Sequence, residues 1–478
     1  MHYVSNKGGT EAVDFETAIL NGFADNGGLY VPETLPTVSP QQLEAWSKHS
    51  YPELAFEILS LFISRSVMSA DELRALLTEA YSEFEAEDII PLYPLKTKQG
   101  VYMMELFHGP TLSFKDVGLA FLVNLVNFFL ERKGEKLNLI VATTGDTGPA
   151  TAHFSAGKSS VDAWVLYPDS LITEEQARQI TTLDSPNVHA VAVSNCPDGG
   201  DDLDLVIASL FANTEFKNAV NLSSVNSINW GRMVMQTVHY FYAYLQLAEQ
   251  PGERISYSVP SGAFGNLCAG TIARTMGLPV DQFIVANNTN ACLHRIFSQG
   301  AFIKRPIIET VSSAIDILIP YNFWRCLYFI LDGDTQKIAQ WMAEFEQTGT
   351  ATFDEASFKK IQTGFLSSSI TDPQTLAIIK ELLASEQYLL DPHSAVSVVA
   401  AEQHHDALKS TKTVCLATAH PAKFPAVYSD MQDKLAASDE HRISVTHPSI
   451  EKAKSLPESV LKVSLADLEA TLLTAMRA

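Results

Sequence analysis

The sequence predicts an α/β protein with open parallel sheets, flanking helices and a helical region at the N-terminus. From residue 102 onward, short apolar runs alternate with segments of helical periodicity. The apolar runs are LNLIVA (137–142), DAWVLYP (162–168), VHAVAVS (188–194), ISYSVP (255–260), QFIVANN (282–288) and TVCLATA (413–419). This alternation is typical of βαβ units, in which helices cover both faces of a parallel sheet.

The chain is expected to divide into several regions, because 478 residues exceed the size of a single domain. Its opening part shows helical periodicity at 15–24, 53–65 and 70–84, with Pro-rich connectors nearby. The predicted organisation is an N-terminal region (1–95), a large α/β domain (96–142 and 223–430) that contains a mostly helical, acidic subdomain (330–388), a small α/β domain (143–222) and a C-terminal cap (431–478).

Composition and charge exclude several classes of protein. A net charge of −22 would repel nucleic acids and anionic membranes. No signal-peptide pattern opens the chain, and no apolar run reaches membrane-spanning length. We therefore expect a cytoplasmic protein that acts on a small molecule and binds neither nucleic acid nor membrane. Both a monomer and a homodimer are compatible with the sequence.

The histidines and cysteines do not predict a metal site. No histidine is spaced with another histidine, a cysteine or a carboxylate as a ligand pair on a helix face. His108, His393 and His420 lie near candidate loops, where a hydrogen-bonded structural role is favoured over catalysis. The five cysteines show no CxxC pair, which favours free thiols in a reducing compartment.

One lysine, Lys115, stands at the start of a predicted buried helix. It belongs to PTLSFKD (110–116), and the segment 116–132 is apolar on nearly every face. The positive end of the helix and poor solvation both favour the neutral amine, which is a nucleophile for carbonyl carbon atoms. A core lysine whose ammonium reaches the surface is the alternative, and this segment alone leaves both interpretations open.

Two glycine-containing loops follow predicted strands. SGAFGN (261–266) follows ISYSVP, TTGDTG (143–148) follows LNLIVA, and a helical pattern comes after each loop. Glycines allow backbone amides to converge on an anion, and the start of a helix adds partial positive charge. Ligands of parallel sheets bind at the carboxyl ends of the strands, where both loops are expected. A single loop of this kind is equally typical of an ordinary βα connection.

A third polar segment, SVNSINWGR (224–232), precedes a long apolar helix. Asn226 and Ser227 offer hydrogen-bonding groups, and Arg232 offers a guanidinium that binds phosphate through two donors. In so acidic a chain, an anionic substrate requires a local cationic site of this kind. The alternative is that these polar residues cap the helix.

These motifs, taken in order, resemble a known family. PTLSFKD, TTGDTG, SGAFGN, SVNSINWGR, DPHSAV (391–396) and TAHPAKF (418–424) resemble the threonine synthases, which are enzymes of the pyridoxal phosphate (PLP)-dependent fold type II group. The segment FADNGGLYVPETLP (23–36) resembles the opening of that family. The resemblance extends over about residues 1–430 and implies a tryptophan synthase beta-like fold, with PLP bound in the large domain.

The resemblance also implies roles for individual residues. Lys115 would hold PLP as a Schiff base and act as the catalytic base. Asp146 would face the 3′ oxygen of PLP, and Thr418 would offer its hydroxyl to the pyridine nitrogen. The remaining cofactor-binding residues would be Ser261, Gly262, Ala263, Phe264, Gly265 and Asn266. The substrate-binding residues would be Ser113, Thr143, Thr144, Thr147, Asn226, Ser227 and Arg232.

The implied reaction belongs to threonine biosynthesis. It converts O-phospho-L-homoserine and water to L-threonine and phosphate by β,γ-elimination and hydration. Ala263 departs from the family, which normally has asparagine between glycine and phenylalanine in this loop. Threonine synthase-like phospho-lyases also vary in this loop and release 2-oxobutanoate, ammonia and phosphate, so this reaction is the alternative. A third interpretation is a non-catalytic PLP-binding or amino-acid-sensing protein, against which Lys115 and both anion loops argue.

Overall fold

The computed structural model describes residues 1–432, 435 and 442–477. The strands are β1 (Tyr3–Ser5), β2 (Tyr30–Pro32), β3 (Leu92–Pro94), β4 (Val101–Glu105), β5 (Leu137–Ala142), β6 (Val161–Pro168), β7 (Val188–Ser194), β8 (Leu222–Ser223), β9 (Ile255–Pro260), β10 (Val280–Asn287), β11 (Ala301–Ile303), β12 (Thr350–Thr352), β13 (Phe365–Ser369), β14 (Thr413–Ala417) and β15 (Leu461–Ser464).

The helices alternate with these strands through most of the chain. They are α1 (Phe15–Asn21), α2 (Pro40–Trp46), α3 (Tyr51–Ser60), α4 (Ala70–Tyr81), α5 (Lys115–Lys133), α6 (Thr147–Ser155), α7 (Glu174–Thr181), α8 (Gly200–Ala212), α9 (Thr214–Ala219), α10 (Trp230–Leu247), α11 (Gly265–Thr275), α12 (Cys292–Gln299), α13 (Tyr321–Ile330), α14 (Thr335–Thr348), α15 (Glu355–Gln362), α16 (Asp372–Glu386), α17 (Pro392–His404), α18 (Pro448–Lys454) and α19 (Leu465–Ala475).

The larger sheet has six strands in the order β13-β10-β9-β14-β4-β3. Its neighbouring strands are parallel except β3 and β4, which are antiparallel. Every residue of β9 is buried, because helices cover both faces of the sheet. The continuous apolar pattern of ISYSVP reflects this burial. The predicted α/β class with parallel sheets and flanking helices is confirmed.

The smaller sheet has five parallel strands in the order β15-β7-β6-β5-β8. Strand β5 pairs with β6 along its whole length, from Leu137 to Ala142. The sequence division placed 137–142 in the larger domain, so sheet membership moves that boundary to before β5. The reason is physical: apolar strands of two buried parallel sheets have the same pattern, and the pattern does not say which sheet a strand joins.

The C-terminal segment also joins the smaller sheet. Strand β15 pairs in parallel with β7, and α19 buries Leu468 and Leu472 completely in the same hydrophobic cluster as Leu203 and Ile207 of α8. The sequence predicted a surface cap at 431–478, whereas the described part of this segment supplies an edge strand and core residues. Residues 433, 434, 436–441 and 478 of the predicted cap lie outside the described residues.

The segment 330–388 is mostly helical, as α14, α15 and α16 show. It also contains β13, which forms the edge of the larger sheet by pairing in parallel with β10. The sequence FLSSS of β13 has only two apolar residues, so its pattern does not predict a strand. The segment is therefore continuous with the larger sheet.

The N-terminal helical region is confirmed, and it packs on the helix that begins at Lys115. The predicted stretches correspond to α1, α3 and α4, and the Tyr81 hydroxyl of α4 donates a hydrogen bond to the Val117 carbonyl of α5 over 3.1 Å. Fourteen of the nineteen residues of α5 are buried. The helix ends at Gly134, whose φ of 67° is in the left-handed region that glycine adopts without strain.

The described residues include neither a membrane-spanning helix nor a cluster of metal-binding side chains. No described helix is long and apolar enough to cross a membrane. No three or more His, Cys, Asp or Glu side chains among residues 1–432, 435 and 442–477 are placed to hold a metal ion. All five cysteines are free thiols, and Cys196 alone among them is not fully buried.

We predict that the C-terminal segment stabilises the smaller sheet. Leu468→Ala should lower the free energy of unfolding by about 2–5 kcal/mol, because it leaves a cavity in a fully buried cluster. Leu461→Ala is the matched control, since Leu461 is 41% exposed in the adjoining strand and its loss should change stability by less than about 0.5 kcal/mol. Urea unfolding measures both changes. Equal effects of the two substitutions would contradict the assignment.

Candidate active site

A cavity of about 590 Å³ lies where the glycine loops meet the start of α5. Strands β5 and β9 end at this cavity, and α5, α6 and α11 begin there, which is the usual ligand position in open parallel sheets. The predicted site residues that line it are Lys115, Thr143, Thr144, Asp146, Thr147, Asn226, Ser227, Arg232, Ser261, Gly262, Ala263, Phe264, Gly265, Asn266 and Thr418.

Ser113 differs from the other predicted residues. It is fully buried where it forms an isolated bridge with Ala419, and it does not belong to the lining of the cavity. Its hydroxyl oxygen has no hydrogen-bond partner among the described residues. The structure therefore gives no support to the predicted substrate contact, and residue 113 instead joins the loop before α5 to the segment after β14.

Lys115 is the first residue of α5 and faces the cavity. Its Nζ atom lies 4.0 Å from the centre of the Phe114 ring. Burial lowers the pKa of Lys115 to about 7, and the positive charges of Arg232 and Lys423 act in the same direction. The Asp146 carboxylate acts in the opposite direction. A large fraction of the amine is therefore neutral at neutral pH, which a nucleophile or general base requires.

The TTGDTG loop is organised by its first hydroxyl. Thr143 Oγ1 accepts hydrogen bonds from the amides of Gly145 and Gly148, both over 3.0 Å. Gly145 has a φ of 116°, and a Cβ atom there would lie 2.3 Å from the Gln176 side chain. A glycine is therefore required, and the Thr143 hydroxyl holds the loop in shape in addition to any contact with a ligand.

Asp146 lies in this loop with a buried counter-ion. Its Oδ1 atom is 2.9 Å from the Lys423 ammonium and accepts a hydrogen bond from Gln176 over 3.2 Å. Burial raises the pKa of Asp146, but the charges of Lys423 and Lys115 outweigh it and lower the pKa below its ordinary value. The cavity thus presents an ionised carboxylate next to the Lys115 amine.

The SGAFGN loop connects β9 to α11. Phe264 adopts a left-handed φ of 63°, and no side chain caps the first amides of α11. These amides have no acceptor within the helix, so they are free to bind an anion. A Cβ atom on Gly262 would lie 2.8 Å from Ile317 Cδ1 and 3.1 Å from Ile315 Cα. A glycine is therefore required at position 262, because residues 315–317 cross the loop too closely for a side chain.

The SVNSINWGR segment contributes a helix cap and a positively charged side chain that lines the cavity. The Asn229 side chain accepts a hydrogen bond from the Gly231 amide and caps α10. Arg232 lines the cavity although only 1% of its surface is exposed, and burial lowers its pKa to about 10. Its Nη1 donates to the Val225 carbonyl over 3.1 Å, whereas its Nε has no described partner. Of the two interpretations of this segment, helix capping thus applies to Asn229 and a cationic site applies to Arg232.

Asn226 and Ser227 are held by neighbours that the sequence did not single out. The Asn226 amide donates to the Ala142 carbonyl at the end of β5 over 2.9 Å. Ser227 Oγ accepts a hydrogen bond from Asn322 Nδ2 over 2.8 Å, and Arg325 Nη1 donates to the Ser227 carbonyl over 2.8 Å. Asn322 and Arg325 lie on α13, 95 or more residues away, so no local pattern could have identified them.

Two motif residues have contacts that the sequence left unassigned. His393 accepts a hydrogen bond from the Ala314 backbone N–H at Nε2, is hydrogen-bonded to Asp391 through Nδ1, and also lines the cavity. Lys423 is fully buried against Asp146. Its position in the TAHPAKF motif was the one feature of the sequence that could have identified Lys423.

Two carboxyl groups of α8 that line the cavity have raised pKa values. Burial raises the pKa of Asp201 to about 7 and that of Asp204 to about 8. Both residues lie on α8 and line the cavity. At neutral pH a substantial fraction of each group is uncharged, which reduces repulsion of an anionic ligand in an acidic protein.

These features fit PLP. The cofactor needs an amine for its aldehyde, donors for its phosphate and a partner for its ring nitrogen. Lys115 supplies the amine, the uncapped start of α11 supplies amide donors, and Thr418 lines the same cavity. The three requirements are met by residues of one cavity, within a volume that suits a cofactor and a small substrate.

Comparison with known families agrees with the geometry. Residues 2–81 match the threonine synthase N terminus, residues 86–419 match the family of pyridoxal-phosphate dependent enzymes, and residues 394–471 match the threonine synthase C-terminal family. The sequence is 38% identical to a threonine synthase of Schizosaccharomyces pombe, with 88% of this chain and 87% of the relative covered. It is also 38% identical to threonine synthase-like 2 of Xenopus laevis, with 89% of each chain covered.

Solved structures show the same relationship. PLP-bound threonine synthase from Brucella melitensis superposes with a TM-score of 0.88 and 35% identity, and 100% of both chains is covered. Threonine synthase from yeast gives a TM-score of 0.88 and 30% identity over 99% of this chain and 98% of the other. These matches confirm the resemblance, the PLP cofactor and the class of enzyme, and the chain belongs to the threonine synthase family of PLP-dependent lyases.

Proposed function

We propose that this enzyme converts O-phospho-L-homoserine and water to L-threonine and phosphate. The observation that supports this most directly is that one cavity contains the lowered-pKa amine of Lys115 and the buried guanidinium of Arg232. The first group suits proton transfer and the second suits a phosphate leaving group. Relatives named threonine synthase, at 36–38% identity, support the same reaction.

The proposed proton transfers are assigned to Lys115. When bound, PLP supplies an electron sink that makes the protons of the substrate carbon skeleton acidic. The neutral Lys115 amine would remove the proton on the α carbon, pass that proton on to the bound cofactor, and then, neutral again, remove one proton from the β carbon. Thr418 would offer a hydroxyl to the ring nitrogen, which keeps that nitrogen uncharged. The ionised Asp146 would face the ring oxygen next to the site of attachment.

The leaving phosphate is proposed to bind to a second group of residues in the same cavity. As the bond from the γ carbon to the phosphate oxygen breaks, negative charge grows on the phosphate. Arg232, Asn226 and Ser227 would stabilise this charge, with further donors from the loop of Thr143 to Gly148. Arg232 is pre-positioned by its bond to Val225, and Ser227 by Asn322, so little reorganisation is needed. Water would then add at the β carbon to give threonine.

A phospho-lyase that gives 2-oxobutanoate, ammonia and phosphate is the second candidate. Ala263 favours it, because this residue replaces the asparagine that is usual in the family and lines the cavity. The similarity to threonine synthase-like 2 proteins is compatible with either reaction. The Ala263 carbonyl accepts a hydrogen bond from the Asn322 backbone N–H over 3.2 Å, and this bond does not depend on the side chain at position 263.

Product analysis tests the proposed reaction. We expect the purified enzyme with O-phospho-L-homoserine to release threonine and phosphate in equal amounts. If Ala263 instead favours the lyase reaction, 2-oxobutanoate will form and Ala263→Asn will raise the ratio of threonine to 2-oxobutanoate. Chromatography of the amino acid and oxo acid products measures this ratio. Formation of neither product would exclude both candidates.

We predict that Lys115 attaches PLP and that its amine titrates near pH 7. The purified protein should show a visible band of the lysine-bound cofactor, and Lys115→Ala should abolish it. Labelling of the PLP-free protein with a small amine-reactive reagent should modify Lys115 with a midpoint near pH 7, because the amine is neutral above its pKa. Mass spectrometry of the labelled peptides measures this. Attachment of PLP to another lysine would refute the assignment.

We predict that Arg232 binds the substrate phosphate. Arg232→Lys keeps the charge but loses the bidentate geometry, and Arg232→Ala loses both. A hydrogen bond to a charged group is worth about 1.5–3 kcal/mol, so each step should lower turnover by about tenfold or more. All products should fall together, since phosphate departs before the products diverge. Unchanged PLP content is the control for the fold, and unchanged turnover in Arg232→Ala would exclude the role.

A further inference from the structure

Lys423 is a second lysine beside the attachment site, and it is completely buried. Its ammonium lies 2.9 Å from Asp146 Oδ1 and donates a hydrogen bond to the Thr111 carbonyl over 3.0 Å. Its own carbonyl accepts a hydrogen bond from the Thr173 hydroxyl over 2.8 Å. One residue therefore ties together the loop before Lys115, the TTGDTG loop and the start of α7.

The pair that Lys423 forms with Asp146 is not explained by stability. Removing two charges from water is costly, and apolar side chains of the same shape usually stabilise a protein as well or better. Hydrogen bonds alone would be satisfied by a neutral donor. A charged pair at the wall of the cavity is explained if its charge acts on the groups that the cavity contains.

We propose that Lys423 is a positioning residue, whose ammonium holds the Asp146 carboxylate at the cavity wall and places positive charge beside the Lys115 amine. The role is indirect, because Lys423 does not line the cavity. Through Asp146 it fixes the group expected to face the ring oxygen of PLP. Through its charge it disfavours protonation of Lys115. The proposal rests on PLP attachment at Lys115 and is independent of which product is released.

Other charged and titratable groups also lie around the pair of Lys423 and Asp146. Asp146 is also influenced by Lys115 and His393, and Lys115 by Arg232. The groups that interact with Lys423 are Asp146, Lys115, Asp116 and His420. Burial raises the pKa of Asp116, whose carboxylate accepts hydrogen bonds from Thr111 and is also influenced by His153. Burial lowers the pKa of His420 to about 3, so this imidazole is neutral at neutral pH.

The sign of the effect follows from these charges. Lys423 lowers the pKa of Lys115 by repulsion, and Asp146 raises it by attraction. Without Lys423 the repulsion disappears, and Lys115 becomes the positive charge with the largest remaining effect on the Asp146 carboxylate. The neutral amine is then less favoured, so loss of Lys423 should raise the pKa of Lys115. A charge within about 4–6 Å typically shifts a pKa by about 1–3 units. Lys423 has the smallest of the charge effects on Lys115, so we expect a shift at the low end of this range.

The test compares the pH dependence of Lys115 labelling in the PLP-free protein and several variants. Lys423→Met should raise the midpoint by about one unit or more, and Lys423→Arg should leave it within about half a unit, because arginine keeps the charge. Lys412→Met is the matched control. Lys412 is also buried and ion-paired, to Glu249 and Glu253, but it lies at the opposite end of β14.

A second measurement separates positioning from folding. Lys423→Met should bind PLP more weakly than the parent at pH 7, and raising the pH should recover binding as the Lys115 amine loses its proton. Should Lys423→Met fail to fold, Lys423→Gln keeps hydrogen-bond donors without charge and should show the same upward shift. A folded neutral variant whose Lys115 midpoint is unchanged or lower would overturn the proposal, as would a shift of equal size in Lys412→Met.

Discussion

The structure depends on keeping one lysine amine neutral inside a protein whose net charge is −22. In such a chain the average field favours protonation of an amine, so the local surroundings must act against it. The enclosed start of α5 does so by poor solvation, and the nearby charges of Arg232 and Lys423 add to the effect. Each of these groups comes from a different segment, which is why the fold has to bring the segments together.

Two positive charges near Lys115 create a second requirement, because buried charges need partners. Asp146 is the partner of Lys423, and a dianionic substrate phosphate is the proposed partner of Arg232, whose Nε has none among the described residues. The substrate would thus complete an arrangement of charges that the protein leaves unbalanced. Such an arrangement would let an acidic protein attract an anion without exposing a large basic surface. The raised pKa values of Asp201 and Asp204 further limit repulsion in the same cavity.

The loops were predictable from the sequence, and their larger context was not. A strand, a glycine turn and a helix start form a local pattern, so SGAFGN and TTGDTG could be recognised, as could Lys115 before an apolar helix. Sheet membership is not local: β5 has the pattern of any buried strand, and β13 has too few apolar residues to be read as one. The polar supports Asn322 and Arg325 lie far along the chain from Ser227, so only the folded structure brings them to it.

Ser113 and Lys423 show the same limit within the motifs. Both belong to segments that resemble the family, but a motif does not state which side chains turn toward the cavity. Ser113 was predicted to bind the substrate, which stays a prediction, and the structure places it at a bridge with Ala419. Lys423 was given no role and forms a buried ion pair with Asp146. The residue types predicted which chemistry each motif could supply. The direction of each side chain depends on the folded backbone, so the motif could not predict it.

Residues 314–317 cross the SGAFGN loop closely and connect it with other parts of the site. Ala314 accepts a hydrogen bond from the Thr144 hydroxyl, and its amide donates to His393, so this segment connects the TTGDTG loop with α17. Asp316 is held by Asn288, Asn290 and Thr310 at the end of β10. Because Gly262 has no room for a Cβ atom beneath Ile315 and Ile317, the position of the anion loop is fixed by this segment. The loop that contains Ala263, where the choice of product is proposed to lie, is therefore packed against a segment that other loops and α17 hold in place.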